Sequence, residues 1–371
     1  MFTGSAELSK SLQQSLENLV SQDGFDGITA AVVLPDGRLW GGAAGFDDPS
    51  VSRPMTPDSR LMSASIGKTW VAALALALQQ DKRLNLDNKI SHWLGDEPWF
   101  DQLPNGPYIT LRQLLNHSSG LPDHIFQDSY REQALRRRDE LREYRFTPTE
   151  QISYILGLMP LFPAGEGLAY SDTAFILAGL ILEQAGEADY YQQIQSRFLK
   201  PLALNLTEPS VQRHLPGLSQ ATWGNDYAPE GRKYAMLLPD GKMAFNPASE
   251  WTGGGLVTNS KDLARWYSAL FSGEILSTES RRQMVESLAP ETEDSRTRFG
   301  AGVRTGLGVF VNKTSHGIRY EHSGWYPGYC SSAAYFPDYR VSVAVQVNQD
   351  FEVNVQNYLM QLTDLVVSQL E

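Results

Sequence analysis

Apolar positions recur along this chain with two different periods, and the change of period divides it into regions. Near the start, Leu8, Leu12, Leu16 and Leu19 stand three or four apart among polar residues, which predicts an amphipathic helix over 7–20. Residues 28–34 (ITAAVVL) and 38–45, joined by Pro35-Asp36-Gly37, predict a β-hairpin. Toward the other end, 300–311, 317–322, 331–336 and 341–348 alternate strand-forming residues with turn signals. Helical spacing then returns over 353–370, through Val355, Leu359, Leu362, Val366 and Leu370. Between these ends the strong patterns are helical, at 70–80, 111–116, 149–158, 173–185 and 190–198.

Strands at both ends around a helical middle predict an α+β architecture with one composite sheet, flanked by helices. No Gly-, Ser- or Pro-rich linker splits the chain and no internal repeat is visible. The expected organisation is a single domain, 1–371. Within it, 1–62 and 225–371 form a sheet lobe and 63–224 a mostly helical lobe. A site is expected in the cleft between lobes, where pockets preferentially form.

Composition narrows the function. At 371 residues, with 42% hydrophobic and 20% charged residues, the balance is globular. The net charge of -12 argues against a nucleic-acid partner, which calls for clustered excess Lys and Arg. One basic cluster, Arg136-Arg137-Arg138 with Arg142 and Arg145, is interleaved with Asp139, Glu140 and Glu143 at helical spacings, and reads as a solvated helix face. Cys330 is the single cysteine, so no internal disulfide and no multi-cysteine metal site is expected, and the six histidines form no H-E-x-x-H. No metal and no cofactor is expected. No stretch approaches the roughly 20 apolar residues of a membrane span. MFTGSAELSKSLQQSL lacks the basic-then-apolar signal pattern, so the expected compartment is cytoplasmic, or outside the membrane if a leader has been removed.

The candidate chemistry begins at SASIGKTW, residues 63–70. Ser65 and Lys68, three apart, share a face at the first turn of a helix that runs into nine apolar residues, Trp70 to Leu78. A lysine beside a serine can serve as the base that makes the hydroxyl a nucleophile. Nine lysines in a chain make about one Ser-x-x-Lys match by accident, so the pair needs company. Two further stretches supply it. GLAYSDTAF carries Tyr170 and Asp172 ahead of a helix, which Asp172 is placed to cap, and EHSGWYPG carries His322, Ser323 and Gly324 at the end of a strand-like run.

In that order, Ser-x-x-Lys at 65, Tyr-x-Asp at 170 and His-Ser-Gly at 322, with the flanks ITLRQLLNHSSGLPDH and GGGLVTNSKDLARW, the sequence resembles the serine β-lactamase and penicillin-binding-protein superfamily. The resemblance is to its class C and D,D-carboxypeptidase-like branch, which includes esterases and D-aminopeptidases, and it implies a β-lactamase/transpeptidase-like fold. It implies Ser65 as the acylated nucleophile, Lys68 as a buried base and Tyr170 as the proton shuttle, a phenolate favoured by nearby cations. Backbone N–H groups of Ser65 and Trp325 are then the oxyanion donors, and Asp172, His322, Ser323 and Gly324 line the substrate.

Two departures bear on substrate. Asp172 stands where the family often has Asn; an ionised carboxylate donates no hydrogen bond and favours a charged Lys68. His322 stands where β-lactamases carry lysine, and neutral imidazole holds a carboxylate less firmly. The expected function is a cofactor-free serine hydrolase acting through an acyl-enzyme on small esters or D-amino-acid-containing peptides and amides. A β-lactamase and a non-catalytic binding protein on the same scaffold are the alternatives. His117 is read as holding a turn, and Cys330 as a small buried residue.

Overall fold

The run GITAAVV, apolar except for Thr29, is explained by burial on both faces. The computed structural model describes residues 6–139, 142–225, 228–293 and 302–370, with side chains at 137–139 and 229 outside that description. Eight strands form the main sheet: β1 (Gly27–Val33), β2 (Leu39–Asp48), β3 (Arg53–Pro54), β4 (Arg304–Thr305), β5 (Phe310–Thr314), β6 (Gly317–Tyr326), β7 (Tyr329–Phe336) and β8 (Val341–Val347). Their spatial order is β3-β2-β1-β8-β7-β6-β5-β4, with every pair antiparallel. The two ends of the chain meet where Ile28 pairs with Val347.

Among the long helices, α1 (Ala6–Asp23), α4 (Ser260–Ser272) and α5 (Val355–Val367) pack on the sheet, while α2 (Lys68–Gln80) and α3 (Asp172–Gly186) pack on each other. Strand alternation sends Ala30, Val32, Val343 and Val345 into a core with the leucines of α1 and with Leu359 and Leu362 of α5. Ala31, Val33 and Ala344 face the opposite, larger core, built from α4, α2 and α3. Helix α2 is buried from Lys68 to Leu78. Trp70 stacks on Trp266 of α4 with centroids 4.5 Å apart, and the Trp266 indole N–H donates to Thr69 Oγ1 at 2.8 Å. No helix among the described residues is long and apolar enough to cross a membrane.

Several element boundaries differ from the pattern-based expectation, each for a local reason. The helix expected over 149–158 is Pro148–Ser153, capped by Thr147 and Glu150, and it ends before Gly157, whose left-handed φ of 74° breaks the run. The helix expected over 190–198 is Tyr190–Ile194, widening into a π-helical turn over Gln195–Leu199. The strand expected over 300–311 begins outside the described residues, and its described part is split into β4 and β5 by Gly306–Val309. There Gly308, at φ 62°, donates its N–H to Leu115 O and presses against the Lys68 carbonyl. The strand expected to end at His322 continues through Tyr326, because Gly324 is extended rather than turning. The basic cluster begins on the helix Asp128–Asp139; the side chains of Arg137 and Arg138 lie outside the described residues.

The turn Ala64–Gly67 sits between this sheet and the loop before β-segment Leu256–Thr258, at van der Waals distance from both. A Cβ on Gly67 would stand 2.6 Å from Gly254 Cα, and one on Gly324 would stand 2.2 Å from Ser63 O. Backbone meets backbone here, so nothing flexible can yield. Gly67→Ala is therefore expected to cost about 1–3 kcal/mol of stability by urea unfolding, and to remove most activity with it. An alanine variant with unchanged midpoint and turnover contradicts this account of the turn.

Candidate active site

Ser65 lies in a one-turn 3-10 segment immediately before α2, not within the helix as the spacing suggested. Ala64, just before it, has a left-handed φ of 49°, a costly conformation for a residue with a side chain. The surroundings hold it there. Ser63 N–H donates to Leu256 O at 2.9 Å, the Ser63 hydroxyl reaches Gly254 O and Leu256 O at 2.9 and 3.0 Å, and the Ser331 hydroxyl donates to Ser63 O at 2.9 Å. The result is a half-buried Ser65 hydroxyl raised above the end of α2.

Lys68, the first residue of α2, is wholly buried, and its three N–H groups all have acceptors. They point to Ser65 Oγ at 3.2 Å, to Gly253 O at 2.5 Å, and to Asp172 Oδ1 in a close ion pair. Burial pulls the ammonium toward neutrality, but the Asp172 carboxylate and then Tyr170 more than reverse this, and the Lys68 pKa is raised above its ordinary 10.5. This corrects the expectation of a neutral lysine base. The departure from the family pattern at Asp172 is what decides it.

Asp172 is free to make this pair because it does not cap α3. Ser171 is the cap, accepting from Ala174 N–H at 3.2 Å, and Asp172 is the first helical residue. Its own N–H donates to Asp123 Oδ2 at 2.8 Å. Burial, reinforced by the charge of Asp172, pushes the Asp123 carboxyl up to about 7.

Tyr170 is held between rings. His117 stacks on it at 4.2 Å, and Phe310 lies parallel at 6.4 Å. His117 Nδ1 accepts the Ser171 N–H at 3.2 Å, which ties the ring to the start of α3. Lys68 Nζ is 5.0 Å from the Tyr170 ring centre. The phenol oxygen is buried without a hydrogen bond of standard geometry, though Lys68 and Ser65 are close enough to draw its pKa down. Burial is the stronger influence and pushes it up to about 12, so the resting group is a phenol and not the expected phenolate.

On β6, His322 and Gly324 face the Ser65 turn, while alternation sends Ser323 and Trp325 to the other face. The Trp325 indole donates to Asp350 Oδ2 at 3.1 Å, so that residue reaches the turn only through its main chain. The β5–β6 register ends at Phe310↔Glu321, which leaves the β6 main chain from His322 onward as a sheet edge beside the turn. His322 Nδ1 lies 2.6 Å from Ser323 O and therefore carries the proton. Its Nε2 is a buried acceptor with no partner, and burial, with Lys68 beside it, holds the imidazole down to about 3. A neutral His322 matches the sequence reading.

The fold thus gathers Ser65, Lys68, Tyr170, Asp172, His322 and Gly324. Sequence reasoning missed Asp123 and Glu250, and missed that His117 supports Tyr170. Glu250 lies three residues before the Gly253 carbonyl that Lys68 uses, and burial pushes it up to about 8 against the pull of Lys68. Its one signal was an acid abutting the glycine run in SEWTGGG.

The Lys68–Asp172 pair yields a prediction with a definite sign. In the wild type the pair contributes fully below pH 10.5 and is lost as pH rises beyond it, because the folded lysine binds its proton more tightly. Without Asp172, burial depresses Lys68 instead, and the unfolded chain holds the extra proton. Asp172→Ala should cost about 3–5 kcal/mol at pH 7, and that penalty should shrink between pH 8 and pH 10 as stability rises with pH. Urea unfolding of both proteins at several pH values measures it; a penalty that grows with pH refutes a charged Lys68.

Known proteins share this fold. The chain is 24% identical over 368 residues to penicillin-binding protein 4* of Bacillus subtilis, covering 96% of this chain and 76% of that one. It superposes on a D-stereospecific amidohydrolase from Streptomyces sp. with a TM-score of 0.80 and 26% identity, over 94% of this chain and 97% of the other. The D-amino acid amidase of Ochrobactrum anthropi SV3 matches with a TM-score of 0.81 and 22% identity, over 99% and 100%. With an antiparallel sheet made from both chain ends, a serine turn packed on its edge, and residues 12–365 matching the family throughout, the chain belongs to the Beta-lactamase family of serine hydrolases.

Proposed function

We propose that Ser65 is the acylated nucleophile and that the substrates are small amides and esters lacking a free carboxylate, D-amino-acid derivatives among them. The observation that carries this reading is the Lys68 ammonium, shared between Ser65 Oγ, Asp172 and Gly253 O beside the Tyr170 phenol. With every Lys68 proton engaged, the lysine orients Ser65 and stabilises negative charge. The moving proton belongs to Tyr170. Tyr170 first gives its phenol proton to bulk water, a cost its raised pKa sets; the phenolate then takes the Ser65 proton while Oγ bonds to the carbonyl carbon, and passes that proton to the leaving nitrogen or oxygen as its bond breaks. Water next attacks the acyl-enzyme ester; Tyr170 takes its proton and returns it to Ser65 Oγ as that ester bond breaks, which frees the acid and restores the serine. The main-chain N–H groups of Ser65 and Trp325 are assigned to the oxyanion.

Substrate sign follows from charge. An anionic Asp172 and a neutral His322 offer a carboxylate repulsion and no cation of their own, while the one ammonium is already paired. The amidohydrolase from Streptomyces sp., by its description, supports an amide.

A fluorophosphonate probe should label one peptide, that containing Ser65. Ser65→Ala should abolish the label and lower kcat on the order of 10⁶-fold, with an unchanged fold by circular dichroism. Across a p-nitrophenyl ester, a D-aminoacyl amide and a chromogenic cephalosporin, kcat/KM for one of the first two should exceed the third by at least about tenfold, the worth of one charge-assisted contact. Label on another residue overturns the nucleophile, and a preference for the cephalosporin overturns the substrate class.

A further inference from the structure

The tip of the β6–β7 hairpin carries a turn that its own strands do not favour. Tyr326 pairs with Tyr329 across a two-residue loop, Pro327-Gly328. Proline fixes its φ near about −65° and Gly328 is left-handed at φ 82°, the combination of a type II turn. Such a turn does not match the right-handed twist of the strands it joins and tends to splay them. A contact from outside the hairpin has to hold the tip. Asp350 makes it. Its Oδ2 accepts the Gly328 N–H and the Trp325 indole N–H, both at 3.1 Å, so one oxygen spans the strand end and the turn. Its Oδ1 accepts the Gly224 N–H at 2.9 Å. Asp350 is buried, and its surroundings are themselves tied down: Thr222 N–H donates to Asn348 O at 3.1 Å, and the Asn348 amide donates to Phe46 O and Gln220 O at 3.1 and 2.7 Å. Trp325, by contrast, is 40% exposed, so burial contributes little to holding it and the bond to Asp350 matters more.

The residues so held are those that β5 does not support. Pairing with β5 stops at Phe310↔Glu321, so from His322 onward β6 has a strand partner on the β7 side alone. In a two-residue hairpin the flanking pair, here Tyr326 and Tyr329, exchanges its N–H groups across the ladder. The main chain of Trp325 therefore points the other way, to the edge that faces the Ser65 turn. That edge lies against the turn at Gly324, where a Cβ would stand 2.2 Å from Ser63 O. An oxyanion donor works only when it sits about 2.7–3.1 Å from the oxygen. A strand end free to rock by ~1 Å loses much of that effect.

We propose that Asp350 is a positioning residue for the oxyanion site: through the Trp325 indole and the Gly328 N–H it fixes the place of the Trp325 main-chain N–H above the Ser65 turn. This rests on the acyl-enzyme reading above. Asp350 acts through Trp325 and not on substrate, so its effect falls on the negative charge that develops at the carbonyl oxygen, and not on binding of the acyl or leaving group. The hairpin keeps other supports without it, since Tyr329 Oη donates to Ser219 O at 2.8 Å and Cys330 pairs with Val347.

The test compares p-nitrophenyl acetate with its thiono analogue, in which sulfur replaces the carbonyl oxygen. Sulfur is a weak hydrogen-bond acceptor, so the ratio of kcat/KM for the two esters reads the oxyanion donors. Asp350→Ala should lower kcat for the oxygen ester about 10²-fold, leave KM within about threefold, and shrink the oxygen-to-sulfur ratio at least about tenfold. Trp325→Phe keeps the main chain and removes the indole donor. It should shrink the ratio in the same direction, and it carries the test if the Asp350 variant does not fold. In the double variant the losses should fall well short of the product of the two single losses, because the residues act as a unit. Equal losses for the two esters would mark a merely structural role and overturn the proposal. So would a loss confined to KM, full activity in both variants, losses that multiply in the double variant, or a wild-type ratio near one. Fluorophosphonate labelling of the unsubstituted protein is scored separately. Label away from Ser65 sinks the acyl-enzyme reading, while label on Ser65 with an unchanged ratio in the variants sinks only the role of Asp350.

Discussion

One buried ammonium holds the site together. Lys68 brings a full charge into a region with no solvent, and such a charge is tolerated only when its partners are near and well aimed. One partner is local and two are distant in the chain: Ser65 one turn before, Asp172 at the head of α3, and Gly253 in the loop preceding Leu256–Thr258. Each is anchored independently. Ser65 is fixed by the strained turn at Ala64, Asp172 by the Ser171 cap and Asp123, and Gly253 by its N–H to Glu250 O at 2.7 Å. Removing any one contact leaves the charge short of a partner, so the arrangement is cooperative.

That constraint reaches into the chemistry. A lysine whose three protons are all donated has no lone pair for Ser65, and in the proposed mechanism the proton passes through Tyr170 instead. Tyr170 in turn needs a fixed ring, which His117 and Phe310 provide by stacking on it. His117 is thus more than a turn residue, although its own main chain is in the left-handed region at φ 63°. The same low-dielectric surroundings keep His322 and His117 neutral, which leaves Lys68 as the one cation at the centre of the site among the described residues.

Carboxyl groups outnumber it. Asp123, Asp172 and Glu250 crowd one ammonium, and burial keeps Asp123 and Glu250 from ionising as readily as carboxyls in water. With Asp172 paired to Lys68 and His322 neutral, the site offers a carboxylate no unpaired cation, whereas a lysine at 322 would supply one.

The main outlines were legible in the sequence for simple reasons. Leu8, Leu12, Leu16 and Leu19 form the buried stripe of α1, and the double-sided apolar runs of β1 and β8 mark strands with both faces covered. Ser65, Lys68, Tyr170 and His322 were found because each sits in a short motif whose members are local in sequence. What remained hidden depends on contacts between distant segments. Gly324 looked like a turn signal, yet it is extended because Ser63 O occupies the place of its side chain. Asp172 looked like a cap, and Ser171 took that role. Lys68 looked like a neutral base by burial alone, and Asp172, 104 residues away, reversed it. Glu250 and Asp123 carry no motif at all. Periodicity records which face of an element is apolar, and this much is settled residue by residue along the chain. The charge state of a buried group is a sum over everything packed against it, and only the folded chain performs that sum.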